Sequence, residues 1–434
     1  MKAITAPLVD PRDRPAFLAL FAVFMVFGTS MTIIGAALPR ILADFNWSYL
    51  VAGTVLAANA IAYFSFTFIG GYLISAWGPK RTLVLGLATA ATGLLFFAAT
   101  PDPLVNILLG ALIGVGQGFV EIAVNWSTLR LDRAHSGRPM NLMHGAFAVG
   151  AILGPLALGG VLQAGLDWIS VYRGMAVIFA GLAVVVLFVA LPVVTAPGTN
   201  VGSNAPGTNA AGTNAPGTNA PGTNVGTTPT EPPHRLGRQP AYWLSFLALF
   251  FYVGVELGVS NWVAQYFVAV FAYPVTASAL LVSLFWAGLL AGRFGVPLLA
   301  HGARQDMMLV WFSALATLSI TGLSLLGFLP VTAMTHVAGL GLVFLSGLGC
   351  SIFYPAVITL LGMCFPQAQS RAIGFAATGG GVGAFLFPFL MSALAQGWGI
   401  RAGFATYAGF GVAMTLTAAG LAVSARRLVA HPAS

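Results

Sequence analysis

The sequence carries very few charged residues: Asp, Glu, Lys and Arg together make up 6% of its 434 positions. Soluble domains carry about 25%, and a soluble fold of this length could not cover its surface with so few. A surface that faces lipid needs none. Hydrophobic residues make up 58% of the chain, and the mean hydropathy is +0.91. The composition therefore excludes a soluble globular protein and predicts a membrane protein.

Cysteine is scarce as well. The two cysteines, Cys350 and Cys364, fall in one hydrophobic run, and a straight helix would separate them by about 21 Å. That separation excludes a disulfide between them, so we interpret both as packing residues.

The signatures of soluble enzymes are also missing. The sequence contains no phosphate-binding loop of the P-loop type, no Cys/His metal spacing and no nucleophile elbow. We therefore expect no enzymatic activity, no bound cofactor and no ATP coupling within this chain.

What the sequence does contain is a series of apolar runs of helix length, separated by short polar breaks. A membrane-spanning helix needs about 20 predominantly apolar residues. The runs predict an all-α membrane protein with twelve transmembrane helices, at 15–43, 49–75, 82–100, 104–131, 139–164, 170–194, 241–270, 275–300, 307–328, 332–363, 371–396 and 401–425.

Positive charge is distributed unevenly along the chain. The net charge is +8, but basic residues such as Lys80 and Arg138 concentrate in alternate connections, and only Arg40, Arg173 and Arg401 fall on the other side. This is the positive-inside pattern, and it argues against nucleic-acid binding. It predicts a multi-pass protein of the plasma (inner) membrane with both termini in the cytoplasm.

A segment of different composition divides the chain. The unit Ala-Pro-Gly-Thr-Asn begins at Ala196, Ala205, Ala215 and Ala220, with degenerate copies between. It has no large side chain to bury and is rich in Pro and Gly, so it predicts a disordered tether. We expect an N-terminal six-helix bundle at 1–194, a cytoplasmic low-complexity linker at 195–240 and a C-terminal six-helix bundle at 241–434.

The two predicted bundles repeat each other in sequence. The segment from Gly114 to Val124 matches that from Gly347 to Val357, and Arg138–Pro155 matches Arg371–Pro388 at the same offset. Several matches in the same order indicate a duplicated six-helix unit.

Only two of the ten acidic residues fall inside predicted membrane helices. Glu121 lies in the fourth helix and Glu256 in the middle of the seventh. An ionisable group at the membrane centre costs about 2.5–3.5 kcal/mol, so each must face a cavity, pair or stay protonated. A carboxyl group that gains and loses a proton in a cavity is what proton coupling requires. The alternative is a protonated glutamate that joins two helices.

Polar side chains accompany both glutamates. A spacing of four residues puts Gln117, Glu121 and Asn125 on one helical face, and such groups should face a cavity or another helix rather than lipid. The seventh helix carries two similar stripes, formed by Tyr252, Glu256 and Ser260 and by Asn261 and Gln265 beside Trp262. Aromatic rings among acids and amides suit sugars, because rings stack on the apolar faces of pyranoses while polar groups hold the hydroxyls.

Further candidates for solute contact are polar or aromatic residues on other predicted helices: His144, Asn59, Tyr63, Tyr354 and Trp286. Tyr354 occupies the repeat position of Glu121. For His144 the alternative is a hydrogen bond between helices, and for Trp286 it is ordinary packing.

Two six-helix halves joined by a cytoplasmic tether resemble the major facilitator superfamily, in which the halves rock about a central site near the midplane. The loop signature of that superfamily is present in degenerate form between Gly71 and Arg81, with Ser75 in place of the usual acid.

A closer resemblance is to the fucose/glucose–proton symporter family. It rests on four segments in order: Gly118–Asn125, Asn141–Pro155, Phe251–Trp262 and Phe285–Arg293.

By that resemblance, Glu121 is the coupling or sugar-binding acid of the fourth helix, Asn125 is the nearby amide, and Glu256 is the acid of the seventh helix. One departure matters. The fucose permease carries an aspartate in the first helix where this sequence has Gly35, so coupling must rest on Glu121 or Glu256, or be absent.

The sequence as a whole predicts a secondary active transporter that moves a small neutral polar solute, a monosaccharide, by proton symport and alternating access. The expected partners are that solute, protons and the lipid bilayer, and we expect a monomer. Two alternatives remain open: a proton-coupled exporter of drugs or metabolites, and a membrane sensor that kept the fold without transport.

Overall fold

The structure is a computed structural model that describes residues 8–133, 137–193, 236–299 and 304–430. A short 3₁₀ turn at Pro11–Asp13 precedes the first long helix. The α-helices of the first half are α1 Arg14–Phe45, α2 Tyr49–Trp77, α3 Pro79–Phe96, α4 Pro103–Leu131, α5 Arg138–Gln163 and α6 Ile169–Phe188. Those of the second half are α7 Pro240–Phe271, α8 Val275–Leu299, α9 Gln305–Leu326, α10a Ala333–Cys350, α10b Phe353–Cys364, α11 Gln369–Trp398 and α12 Ile400–Ala430.

Side-chain caps explain several of the helix starts. Ser48 accepts a hydrogen bond from the Val51 amide at the start of α2, and Asp102 accepts one from the Val105 amide at the start of α4. Thr332 and Thr335 form a reciprocal capping box at the start of α10a. Each cap satisfies backbone N–H groups that have no partner within the helix.

Eleven helices of the described chain are long and apolar enough to cross a membrane, with α10a and α10b counted as one. Helix α3 falls short because its eighteen residues include Lys80 and Arg81, which lower its mean hydropathy. It packs against α4 and α6 inside the first bundle, so the twelve-helix architecture is retained.

The tenth helix departs from the sequence prediction of one continuous run at 332–363. It is interrupted after Cys350 and resumes at Phe353. Pro355 is the third residue of the resumed helix, where it has no N–H to donate to the carbonyl of Ser351. Both cysteines are free thiols.

The two halves are built from matching helix contacts. In the first half α1 packs on α5, α2 on α4, and α3 on α4 and α6. In the second half α7 packs on α11, α8 on α10a, and α9 on α10a and α12. The molecule is therefore two pseudo-symmetric six-helix bundles, as the sequence repeat predicts.

Glycines at equivalent repeat positions make equivalent contacts. A Cβ at Gly114 would overlap the Asn59 carbonyl of α2, and one at Gly347 would overlap the Phe285 carbonyl of α8. Such residues let helix backbones approach closely, which drives helix association in membranes.

The bundles meet mainly through α2 with α11 and α5 with α8, with α1 against α7 at the centre. The predicted tether, 195–240, lies almost entirely outside the described residues. The three-part division of the chain therefore stays a prediction.

Candidate functional site

A cavity of about 110 Å³ lies between the two bundles. It is reached by side chains of α1, α2, α4 and α5 from the first half and of α7, α8, α10b and α11 from the second. The ionisable side chains that line it are Glu121, Glu256, His144, Arg293, Tyr63 and Tyr354. Both glutamates singled out by the sequence thus reach the same space, one from each bundle.

Glu121 is buried on α4 and accepts a hydrogen bond from the Tyr63 hydroxyl of α2. The Tyr63 ring is held between Phe27, at a centroid distance of 6.2 Å, and Phe64, at 4.8 Å. The two aromatic neighbours fix the direction in which Tyr63 presents its hydroxyl. Tyr63 is therefore positioned to orient the Glu121 carboxylate.

Glu256 is buried on α7 and lines the cavity together with Arg293 of α8 and His144 of α5. Neither cavity glutamate forms an ion pair within 4.0 Å among the described residues. The cavity thus brings two carboxyl groups and one guanidinium into a largely aromatic space, where opposite charges attract more strongly than in water.

The break in the tenth helix explains the position of Arg293. Because Pro355 cannot donate to the Ser351 carbonyl, that oxygen is free to accept a hydrogen bond from Arg293 Nε at 3.3 Å. Pro355 is the feature of the sequence that could have indicated this position of Arg293.

Trp286 forms part of the cavity wall on α8. Its indole Nε1 donates to Ser260 Oγ of α7 at 2.8 Å, and its ring meets Phe147 of α5 edge to face at 5.7 Å. The contact with Phe147 joins the two bundles. Trp286 therefore presents a fixed aromatic surface to the cavity.

Two candidates from the sequence lie in a network between helices instead. Asn59 Nδ2 donates to Gln117 Oε1 at 3.1 Å, and Gln117 Nε2 donates to Ser30 Oγ at 3.0 Å. These bonds join α1, α2 and α4 within the first bundle. Neither amide belongs to the cavity lining.

Four further candidates also lie outside the cavity lining. Tyr252 is fully buried and stacks on Phe353 at 4.7 Å. Trp262 is fully buried, while Asn261 lies on α7 where that helix meets α1. The buried amide of Asn125 has no hydrogen-bond partner among the described residues.

The cavity is closed on one side, towards the ends of α1 and α7. There the Tyr49 ring of α2 meets the Trp262 ring of α7 at 5.9 Å, and Ser283 Oγ of α8 donates to the Ile152 carbonyl of α5 at 2.8 Å. Both contacts join the two bundles at this end of the cavity. We call this set of contacts, with the approach of α1 to α7 beside it, the seal.

Gly35 is central to that seal. A Cβ at Gly35 would lie 2.7 Å from the Asn261 Cα of α7. There is consequently no space for an aspartate in this conformation, which gives a physical reason for the departure from the fucose permease at this position.

Comparison with known proteins gives the family. The sequence profile of the Major Facilitator Superfamily matches residues 20–340. A glucose/galactose transporter of Brucella abortus is 24% identical over 405 residues, covering 90% of this chain and 90% of that protein. A putative glucose/galactose transporter of Helicobacter pylori is 24% identical, covering 82% and 83%. Bypass of stop codon protein 6 of Saccharomyces cerevisiae is 23% identical, covering 92% and 79%.

Solved structures agree on the fold. The nucleoside transporter NupG superposes with a TM-score of 0.74 at 11% identity over 94% of this chain and 99% of its own. A D-xylose-proton symporter gives 0.72 at 13% identity over 94% and 96%, and the transporter FucP gives 0.57 at 17% over 93% and 97%. With the profile matching most of its length, this chain belongs to the major facilitator superfamily.

Proposed function

We propose that this protein is a secondary active transporter that moves a small neutral polar solute, a monosaccharide, by proton symport. The observation that carries the proposal is the cavity between the bundles, into which Glu121 and Glu256 project from opposite halves. Glucose/galactose transporters among the relatives, at 24% identity, support the choice of solute.

The chemistry of the cavity wall supports a sugar. Trp286 and the phenylalanines offer flat apolar faces, and the two carboxyl groups and Arg293 can hold hydroxyl groups. The cavity is also smaller than the roughly 300–1,000 Å³ of sites for drug-sized ligands. That difference favours a small solute over the drugs that an exporter would carry.

The way the two halves meet supports alternating access. With both termini in the cytoplasm of a plasma-membrane protein, as the basic residues predict, the seal at Gly35 and Tyr49 faces the outside. Protonation of Glu121 or Glu256 removes a buried negative charge. We propose that the loss of this charge lets the solute-loaded transporter open and reclose the seal.

Flux through proteoliposomes tests the class of function. Purified protein is reconstituted, and uptake of a panel of radiolabelled monosaccharides is measured against a nucleoside and a cationic drug. We expect saturable uptake of one or a few monosaccharides. Efflux of the drug would favour the exporter, and sugar binding without flux would favour a sensor.

A second experiment tests proton coupling. Glu121→Gln and Glu256→Gln are assayed for uptake with and without an imposed pH gradient, beside Asp167→Asn, which alters an exposed carboxylate at the start of α6. We expect the control to keep gradient-driven accumulation and at least one glutamine variant to lose it. Full accumulation in both glutamine variants would reject coupling through these residues.

A further inference from the structure

A second recess, independent of the cavity between the bundles, lies on the outer face of the second bundle. It is a groove of about 730 Å³ between the start of α7 and the end of α12. Its lining at the start of α7 is the N-cap residue Gln239 with Pro240 and Leu244, and its lining on α12 runs from Ala419 to Leu428. In a membrane protein, such an outward groove opens to lipid.

The groove is polar at one end and apolar along its length. Arg427, Ser424 and Gln239 lie at the mouth, where α12 ends and α7 begins, whereas Leu244 and Gly420 lie deeper along the helices. From Leu428 to Ala419, α12 covers about 13 Å. A ligand that fits must pair a polar head with an apolar chain.

Aromatic residues give the depth of the mouth in the bilayer. Trp243, in the first turn of α7, is 53% exposed, and its indole Nε1 donates to the Gly237 carbonyl. Exposed tryptophans of membrane proteins collect at the level of the lipid headgroups. The mouth of the groove is therefore at headgroup level and its floor lies in the acyl region.

The charge at the mouth gives the sign of the headgroup. Arg427 and Arg238 are both exposed at this end. At this end Arg426 and Arg304 both form ion pairs with Asp306. Among the described residues, Arg427 and Arg238 form no ion pair. The first N–H groups of α7 add the positive end of a helix dipole, which favours a phosphate.

We infer that this α7–α12 groove binds one anionic phospholipid, with its phosphate at Arg427 and Arg238 and an acyl chain lying over Gly420. The absence of a side chain at Gly420 keeps the floor open, since a Cβ there would already approach Leu244 to 3.3 Å. The site is separate from the transport cavity, so the inference does not depend on the proposed function.

Native mass spectrometry of the full-length protein tests the inference. Lipid retention is counted after incubation with phosphatidylglycerol, with phosphatidylcholine, or with inorganic phosphate alone. We expect one retained phosphatidylglycerol and a clear preference over phosphatidylcholine. An arginine near an anionic lipid surface is worth enough to change affinity about fivefold, so Arg427→Gln should lose most of that preference. Gly420→Leu should reduce retention of both lipids.

Two controls on the same helix make the result specific. Arg401→Gln removes an exposed arginine at the other end of α12, and Gly409→Leu fills an exposed glycine with open space around it. Both should retain phosphatidylglycerol as the native protein does. Equal retention of the two lipids by the native protein, unchanged retention in both groove variants, or equal retention of inorganic phosphate would overturn the assignment.

Discussion

Among single residues, the hydroxyl of Tyr63 makes the most direct contact with a cavity glutamate. Tyr63→Phe keeps the ring between Phe27 and Phe64 but removes the hydrogen bond to Glu121. Hydrogen bonds to charged groups contribute about 1.5–3 kcal/mol. We expect the maximal rate of solute uptake to fall about tenfold or more, while the amount of folded protein in the membrane stays the same.

The matched control for Tyr63→Phe is Tyr172→Phe. Tyr172 is fully buried in α6, stacks on Phe97 and has no hydrogen-bond partner for its hydroxyl among the described residues. Its loss should leave uptake unchanged. Equal rates in the two variants would remove Tyr63 from the transport site.

Arg293 supplies the guanidinium of the cavity and caps the broken tenth helix. Arg293→Gln should lower uptake about tenfold, because both the charge opposite the carboxyl groups and the bond to the Ser351 carbonyl are lost. Arg293→Lys should recover only part of the activity, because lysine has no planar Nε–H in that direction. Initial rates of uptake measure both, with Arg401→Gln as the control. Native rates in Arg293→Gln would contradict the role.

The identities of the cavity glutamates were accessible from the sequence, but their neighbours were only partly so. A carboxyl group inside an apolar run stands out because burial is costly. The amide of Gln117 lies on the same helical stripe as Glu121, yet it bonds to Asn59 of α2 and Ser30 of α1 and joins helices instead of lining the cavity. Both roles satisfy a polar group in a membrane, so a stripe alone does not choose between them.

Among helix pairs, α1 and α7 form the contact that closes the cavity on one side. Gly35→Leu would place a side chain into the α7 backbone at Asn261. We expect it to abolish net uptake by preventing closure while leaving solute binding in detergent measurable. Binding and flux assays on the same preparation separate the two effects.

Gly181→Leu in α6 serves as the control for Gly35→Leu, because nothing lies within 4 Å of a Cβ at that position. It should transport as the native protein does. Unimpaired flux in Gly35→Leu would show that α1 and α7 need not pack this closely during the cycle.

The helices themselves follow from the sequence because hydrophobic length and polar breaks decide them in a membrane. The break between α10a and α10b was missed, although Pro355 lies next to it. Proline in a membrane helix often leaves the helix continuous, so Pro355 alone does not predict a break. At this break the Ser351 carbonyl accepts a hydrogen bond from Arg293, a tertiary contact that periodicity does not reveal.

At the scale of the whole molecule, the duplication predicted two matching halves, and the helix contacts within the halves agree with that prediction. The contacts between the halves, α2 with α11 and α5 with α8, come from the structure. The helix ends that touch across the two bundles depend on the conformation that the protein adopts. That conformation depends on contacts such as that of Tyr49 with Trp262, which no pattern along one helix contains.

The low-complexity segment provides a prediction at this scale. Replacing residues 196–224 with a Gly/Ser sequence of equal length should leave uptake unchanged, because a spacer contributes length rather than a binding surface. Uptake and membrane abundance of the variant are compared with those of the native chain. A loss of uptake at equal abundance would assign the Ala-Pro-Gly-Thr-Asn repeat a specific role.

We propose that a solute and a proton bind together in the cavity that Glu121 and Glu256 share. Calorimetric titration of the transported monosaccharide, in two buffers of different ionisation enthalpy at one pH, counts the protons taken up on binding. We expect proton uptake by the native protein and none by the double variant Glu121→Gln, Glu256→Gln. Binding without proton uptake in the native protein, or equal uptake in the double variant, would contradict it.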